Sequence, residues 1–584
     1  MMKSIFFRLN RAGLLAAALG LAAHVAGAEL QVWTVAETRH VLRSELPGTQ
    51  REVRLAAARN ESRSFQILVR ADAPRPGLSV KAGELRGPGG QGSGAIRWRF
   101  YRQHQLHLET GTYRNTEFKP DWYPDPLIPF EHPLAGEKLK DARFKAVPFD
   151  LPAGETHGFW VDLHVSSNAV AGEYRGICQV TAEQGQAVEI PVLLTVWDFA
   201  LPLVPALETE FGSPASRLRA YYRQRAKAGQ EAEPPNWAPV EAQCAQLLSE
   251  HRLNAVPPGE MLRPVAQPDG SFRIPAEQIR ALGEFVERYH VNALPIPHPG
   301  SAVKDPELER DRLRAWLAAF DPVAKELHRP HLVFFTYLKD EPNTLDDYRY
   351  VQKWGRAVRE AKSVVKVLVV EQPWTAPGMG GADSAWGDLY GAVDIWCPLF
   401  SLHRQESAAA RQALGETIWT YTALCQGQPT PWWHIDYPLL NYRVPAWMAW
   451  RCHMRGLLYW GGLSYWEKVE DPWQQAPYYA GSGVFQQGQK GIIFNGEGSL
   501  VYPARAVGYD GIVPTIRLKA LRDAIEDYDY LALLEHLGQT AAAEAIVKPL
   551  AESFFQWDKN PAAYETARAR LAALILEQGH NKQK

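Results

Sequence analysis

Leu332–Pro342, LVFFTYLKDEP, starts as an unbroken apolar run and ends on two adjacent carboxylates, Asp340 and Glu341, closed off by Pro342. An apolar run without alternation, polar only at its carboxyl end, predicts a strand buried on both faces of a parallel sheet. In a barrel of parallel strands, the carboxyl ends carry the chemistry. Proline disfavours helix for the residue before it, so Glu341 is expected to be extended at the strand tip. A plain strand-to-helix turn with a solvated Asp-Glu cap has the same local signature, and the rest of the chain has to decide between them.

Around this run, apolar strand-like segments alternate with helical ones, the pattern of βα units. Eight candidates recur: Glu208–Phe211, Leu253–Pro257, Val291–Pro297, Leu332–Leu338, Val365–Val370, Val393–Pro398, Thr417–Tyr421 and Gly456–Trp460. Tyr348, Val351, Gly355 and Val358 share one face of an intervening helix, and Thr344 with Asp347 resembles a capping box. Eight units over about 260 residues is the size of a (β/α)8 TIM-type barrel, placed here at residues 206–480.

Upstream, residues 29–200 read as an N-terminal β-sandwich. Short alternating runs at Gln31–Val35, Ser64–Val69, Ile96–Tyr101, Gly158–Val165, Tyr174–Thr181 and Ala187–Trp197 are separated by turn-rich stretches. Trp122-Tyr123-Pro124-Asp125-Pro126 is expected to be a proline-fixed loop, at a cleft edge or at an interdomain contact. Residues 481–584 form a helical C-terminal tail packing on the barrel, opening with a short β segment over Gly483–Val501. In its helix Pro514–Leu537, the residues Leu518, Leu521, Ile525, Tyr528 and Ala532 share one amphipathic face. Arg522, Asp523, Glu526 and Asp527 on this helix are expected in interdomain ion pairs. Further helix is expected over Ala541–Phe555 and Ala562–Leu576.

Residues 1–28 have the layout of a signal peptide: Lys3, Arg8 and Arg11, the apolar run Ala12–Ala23, then Ala26-Gly27-Ala28 before cleavage. The run is too short to span a bilayer. A secreted or periplasmic protein is expected, without stable membrane insertion after cleavage; an uncleaved anchor is the alternative. A net charge of −2 gives no footprint for nucleic acid. Five cysteines without a CxxC spacing indicate buried thiols rather than a disulfide scaffold or a zinc site. His434 and Asp436 lie two apart but have no third ligand nearby, so no metal is expected, and no cofactor. Oligomeric state is not readable.

On the barrel reading, aromatic residues end several strands beside the carboxylate pair: Tyr337, Trp374, Trp396, Tyr421, Trp460, Tyr465 and Trp466, with Glu467 following. Aromatic rings offer platforms to the apolar faces of sugars, although large cores use them too. Carboxylates beside such rings suggest glycoside cleavage, which needs a general acid and something to meet the developing oxocarbenium ion. Thr417–Leu424 carries no carboxylate to act as a nucleophile from the seventh strand; the nearest acid beyond it is Asp436. An adjacent Asp-Glu pair suits substrate assistance instead. There a 2-acetamido group attacks the anomeric carbon, Asp340 polarises the amide and Glu341 is the acid/base. Tyr421 or Tyr465 would donate to the amide oxygen.

These stretches lead to a resemblance. AARNESRSFQILVRA (57–71), WYPDPLIPF (122–130), FWVDLHV (159–165), YLKDEP (337–342), VDIWCP (393–398), YWEKVEDPW (465–473) and TIRLKALRDAIEDYDYLALL (515–534) are together similar to glycoside hydrolase family 123 and the related domain of unknown function 4091. The resemblance implies a sandwich followed by a catalytic barrel, retention of configuration, and β-N-acetylgalactosaminidase activity on a glycan or glycoconjugate. It maps the family's Asp-Glu pair onto Asp340 and Glu341. Two alternatives stay open: a glycosidase on a non-acetamido sugar with Asp436 or Glu467 as nucleophile, and a carbohydrate-binding protein without catalysis.

Overall fold

The computed structural model describes residues 29–90, 94–374, 389–424, 427, 429–466, 469–480 and 492–581. The expected signal segment, Glu467, Cys425 and the first part of the expected β segment after residue 481 lie outside them.

Two five-stranded sheets make the sandwich. One runs in the order Gln31–Ala36, Glu61–Arg70, His157–Val165, Ile96–Leu108, Asp121–Pro129. The other runs Val53–Arg59, Val188–Ala200, Gly172–Thr181, Arg75–Ala82, Phe149–Leu151. Strand Glu61–Arg70 is buried along nearly its whole length because both of its faces are covered. Phe65, Ile67 and Val69 enter the core between the sheets. Ser62 and Ser64 bond to Glu526 and Arg522 of the C-terminal helix. Trp122–Pro126 is part of a strand, not a loop. Its Asp125 is fully buried against Arg517, so its interdomain role holds.

The second body is a curved parallel sheet of seven strands: Glu208–Glu210, Gly456–Leu458, Thr417–Tyr421, Ile395–Trp396, Val365–Val370, Val333–Asp340 and Ala293–Pro295. The expected (β/α)8 count is corrected to seven, because Leu253–Pro257 forms no ladder. Pro257 and Pro258 cannot donate backbone bonds there. Asn254 bridges the gap with its side chain instead. Its Nδ2 donates to the Thr209 carbonyl at 2.9 Å and to Asn292 Oδ1 at 2.7 Å, and its Oδ1 accepts from the Asn292 N–H at 3.0 Å. Side-chain amides thus join the two outer strands. Val333, Phe335, Leu368, Val370, Ile395, Trp419 and Tyr421 fill the interior. Helix Leu345–Glu360 packs so closely outside that a Cβ on Gly355 would lie 2.2 Å from the Ala392 carbonyl. Thr344 caps it, accepting from the Asp347 N–H at 3.2 Å.

Helix Ile516–His536 lies between the two bodies. It is not simply amphipathic: Arg517, Lys519, Arg522, Asp523, Glu526, Asp527 and Asp529 are buried along with its apolar residues. Lys519 pairs with Asp162 of the sandwich at 2.6 Å. Asp527 pairs with Arg443 of the barrel helix Leu440–Arg451 at 2.6 Å. The expected helix Ala541–Phe555 stops at Val547, before Pro549, and a small hairpin of Ala551–Ser553 and Gln556–Trp557 follows. Cys178, Cys244, Cys397 and Cys452 are free and buried.

Removing one partner of a buried pair strands the other charge. Arg517 donates to Asp125 at 2.7 and 2.8 Å, and Tyr502 shares the same carboxylate. Arg517→Met is expected to cost about 3–5 kcal/mol in urea unfolding, with much of it recovered by adding Asp125→Leu.

Burial also sets protonation. Desolvation pushes His40, His104 and His434 down to about 3 and His157, His164 and His403 to about 4. It pushes Glu210 and Glu371 up to about 7 and Glu497 and Glu526 to about 8. Below the ordinary histidine value of 6.5, the unfolded chain binds protons that the folded histidines refuse, so stability rises with pH there. Above the ordinary glutamate value of 4.5, the folded carboxyls keep protons that the unfolded chain releases, which lowers stability as pH rises. The six histidines outweigh the four glutamates until the histidine effect ends. Urea midpoints are therefore expected to peak between about pH 6 and 7 and to fall towards pH 8.

Candidate active site

Strand Val333–Asp340 points Val333, Phe335 and Tyr337 inward. Strict alternation would then turn Lys339 inward and Asp340 outward. A bulge prevents this. Against strand Val365–Val370, Tyr337 pairs with Leu368 but Lys339 pairs with Val369, so Leu338 is the extra residue. Asp340 consequently pairs with Val370, which faces the interior. Bulges re-aim side chains in this way. The Tyr337 hydroxyl donates to Asp340 Oδ1 at 2.8 Å, across the shifted register. Lys339 turns outward and pairs with Asp347 at 2.6 Å.

Glu341 is not extended. Its φ is +37°, in the left-handed region, where a residue with a Cβ pays of order 1–3 kcal/mol. The physical reason is the short connection: the chain must reverse between Asp340 and the helix cap at Thr344. The Asn343 side chain holds the turn by donating to the Glu341 carbonyl at 2.6 Å. This conformation lets the Tyr421 hydroxyl, from across the sheet at the end of Thr417–Tyr421, donate to Glu341 Oε1. Tyr421, expected at this site from its place at a strand end, reaches the carboxylate pair.

Two further carboxyls stand at strand ends of the same sheet and were not singled out in the sequence. Glu371 follows Val370, so it leaves its strand level with Glu341. It is 7% exposed, and burial pushes it to about 7, with the Glu341 charge adding to the rise. Glu210 ends the first strand and is likewise pushed to about 7 by burial, while the Gly212 N–H donates to it at 2.9 Å. The available signal was an acid at the end of each strand, Glu371 after the apolar run of VLVVEQP and Glu210 as the second acid of LETEFG.

The aromatic residues separate into two groups. Trp460 and Tyr465 are half-buried, with ring centroids 5.3 Å apart, after the last strand. The Trp460 N–H donates to the buried Glu497 at 2.5 Å. Trp374 follows Val370 closely but is buried, with the Arg404 guanidinium 3.3 Å from its ring centre. Trp396 is corrected: Ile395 takes the inward position, and Trp396 points to the helical layer, where its N–H donates to Glu416 at 2.7 Å. Trp466 is also corrected. It is 1% exposed, packs on Tyr221 and donates to the Val501 carbonyl at 3.0 Å, as part of the core. Asp436 is occupied elsewhere: the Thr112 N–H and hydroxyl donate to it at 2.7 and 2.6 Å, and Asn115 at 3.0 Å. Among the described residues no cluster of three or more His, Cys, Asp or Glu is grouped to hold a metal ion.

A parallel barrel with inward-turned carboxyls at its strand tips is the setting for glycoside hydrolysis, and comparison with known proteins bears this out: the chain is a glycoside hydrolase. Residues 314–534 match the model of glycoside hydrolase 123, catalytic domain, a span that holds Asp340, Glu341, Glu371 and Tyr421, and the match supports assignment of this region to that family. Its fold resembles that of a family 123 glycoside hydrolase from Clostridium perfringens, studied for glycolipid glycan hydrolysis. The TM-score is 0.61 at 14% identity, over 94% of this chain and 98% of that one. A Bacteroides ovatus GH5 xyloglucanase covers 74% of this chain and 94% of its own at 8% identity, but its TM-score of 0.18 carries no weight. No curated protein matches the sequence.

Tyr421→Phe deletes the donor to Glu341 and little volume. A hydrogen bond to a charged group is worth about 1.5–3 kcal/mol, so kcat/KM is expected to fall about 10- to 100-fold on any glycoside that wild type cleaves. Thermal melts followed by circular dichroism are expected to stay cooperative and to fall by no more than a few degrees.

Proposed function

We propose that this enzyme removes a β-linked 2-acetamido sugar, with N-acetylgalactosamine the first choice, by substrate-assisted catalysis with retention of configuration. The observation that supports it is the bulge-shifted pair itself. Asp340 and Glu341 are consecutive, both turned to the strand tips, and each is met by a different tyrosine. Neighbouring carboxyls of one chain segment suit one acid and one amide-orienting group better than two groups flanking a sugar from opposite faces.

In the first step the Glu341 carboxyl gives its proton to the glycosidic oxygen as the C1–O bond breaks. The acetamido oxygen closes onto C1, forming an oxazolinium ion. Asp340, held by Tyr337, accepts the amide N–H and meets its developing positive charge. In the second step ionised Glu341 takes a proton from water, whose oxygen attacks C1 and expels the acetamido oxygen. Two inversions restore the β configuration. Intramolecular attack supplies an effective molarity on the order of 10⁵ M or more.

Other nucleophiles fit less well. Asp436 is consumed by Thr112 and Asn115. Glu371 and Glu210 are buried and hold protons to about pH 7, which disfavours the ionised form a nucleophile needs. The Clostridium perfringens relative is described with glycolipid glycans, and we extend that substrate class to this chain, the glycan of a glycolipid or similar conjugate, as part of the proposal.

The test is a pair of aryl β-glycosides, one with a 2-acetamido group and one with a 2-hydroxyl. Turnover of the acetamido sugar alone is expected, with Glu341→Gln and Asp340→Asn each reducing kcat by about 10²–10⁴-fold. Equal cleavage of the 2-hydroxyl sugar would rule out substrate assistance. Glycan binding without turnover of either would return the barrel to a binding role.

A further inference from the structure

We infer that Glu210 is a specificity-determining residue: its carboxyl hydrogen-bonds the 4-hydroxyl of the 2-acetamido sugar, from the side of the barrel mouth across from Asp340 and Glu341. This deepens the proposed reaction by naming the group that reads the sugar, and it rests on that reading.

Strand Glu208–Glu210 reveals its orientation through its first residue. Glu208 Oε2 accepts the indole N–H of Trp419 at 2.9 Å, and Trp419 belongs to the barrel interior. Side chains two apart on a strand share a face, so Glu210 also points inward, one step nearer the mouth. Its ladder partner Leu458 pairs on the other side with Tyr421, and both of these are interior residues. The Gly212 N–H donates to Glu210 Oε1 at 2.9 Å. Gly212 lies beyond the strand end, so this bond draws the carboxyl up towards the mouth. The turn that supplies the donor is built for glycine: Gly212 has φ +71°, and a Cβ there would lie 3.0 Å from the Cα of Gly462.

The two glutamates of this strand differ in what they leave open. Glu208 has a donor on each oxygen, Trp419 on Oε2 and Arg455 at 3.0 Å on Oε1. Glu210 has Gly212 on Oε1 and, among the described residues, no donor on Oε2. It is mostly buried, yet solvent still reaches it. Polar atoms inside a protein are nearly all hydrogen-bonded, so an oxygen left open at the floor of a mouth suits the hydroxyl of a ligand. Oε2 can bond a hydroxyl in either state, as acceptor when ionised and as donor when protonated.

Position round the barrel selects the hydroxyl. On one side, four strands separate Glu208–Glu210 from Val333–Asp340; on the other lie the Asn254 bridge and Ala293–Pro295. Glu210 therefore looks at the carboxylate pair across the mouth. With Asp340 at the 2-acetamido group and Glu341 at the oxygen on C1, the ring edge turned away from the pair is C4–C5. C4 lies opposite C1 in a six-membered ring, and its hydroxyl is the one by which galacto and gluco sugars differ.

The test measures kcat/KM for wild type, Glu210→Gln and Glu210→Ala on three aryl 2-acetamido-β-glycosides: the galacto sugar, its 4-deoxy analogue and its 6-deoxy analogue. Glu210→Ala is expected to lose about 10- to 100-fold on the galacto and 6-deoxy sugars, and less than about threefold on the 4-deoxy sugar. Glu210→Gln, which still accepts from Gly212 and can donate to the hydroxyl, is expected to keep most of the rate. Glu210→Met, similar in volume but apolar, is expected to behave as Glu210→Ala does, so a folding failure of one leaves the other. Equal loss on all three sugars would show a merely structural residue. A loss spared only by removing the 6-hydroxyl would put the contact elsewhere. Either result overturns the inference. Binding of free N-acetylgalactosamine, followed by saturation-transfer NMR, needs no turnover and is expected to weaken about tenfold or more in Glu210→Ala. Unchanged binding would overturn the contact. Wild type that binds this sugar through Glu210 but cleaves none of the three glycosides would instead count against the proposed reaction and leave the contact standing.

Discussion

A charge taken out of water has to find its counter-charge, and helix Ile516–His536 takes seven ionisable side chains out of water at once. Each unmet ion would cost several kcal/mol, more than any single apolar contact repays. The counter-charges come from both sides. Asp125 and Asp162 of the sandwich meet Arg517, Lys519 and Arg522, while Arg443 and Arg252 of the barrel body meet Asp527 and Asp529. The helix is thus a polar core between two apolar ones. Ion pairing has narrower geometric tolerance than apolar packing, so this core fixes how the sandwich sits on the barrel. It is also why Asp436 and Thr112 can meet reliably, joining a barrel loop to the sandwich beside the candidate site.

At the strand tips the same economy works on a smaller scale. A single extra residue, Leu338, decides which of two adjacent side chains enters the mouth: Asp340 turns in and Lys339 turns out. Had the register stayed regular, a cation would stand where a carboxylate does. The left-handed Glu341 completes the arrangement, because a reversal directly after Asp340 keeps both carboxyls on the same side of the sheet. The strain is held by the interactions around it, namely the Asn343 contact, the Thr344 cap and the Tyr421 hydrogen bond.

Much of this was legible beforehand, and the misses have common causes. The barrel strands Val365–Val370 and Thr417–Tyr421 match their expected bounds, because uninterrupted apolar runs between helices have few other readings. The Asp-Glu pair was legible because two charges end such a run. The bulge was not, since one inserted residue leaves no mark on composition; the extended reading of Glu341 rests on Pro342, which does not foresee the reversal into the helix cap. Trp396 and Trp466 were assigned by proximity to strand ends, but which face a ring takes depends on register, and both rings turn into packing layers. Asn254 hid the missing strand because a side-chain amide can imitate a backbone peptide, which no pattern of apolar residues reports. The tail helix makes interdomain ion pairs of the kind read from its charged residues, but its apolar face does not foretell that those charges are buried as well.

The pairing of Asp125 with Arg517 spans 392 residues, that of Asp162 with Lys519 spans 357, and that of Glu61 with Arg568 spans 507. A ribosome adding about 5–20 residues per second needs roughly 20–80 s to cover the first of these gaps. For that time the sandwich exists without the cations that its outer sheet face requires, and water must serve in their place. The sandwich therefore emerges as an open-faced sheet, hydrated where it will later be dry. The closing event of the fold is the arrival of the last hundred residues, so the order of manufacture runs opposite to the order of dependence.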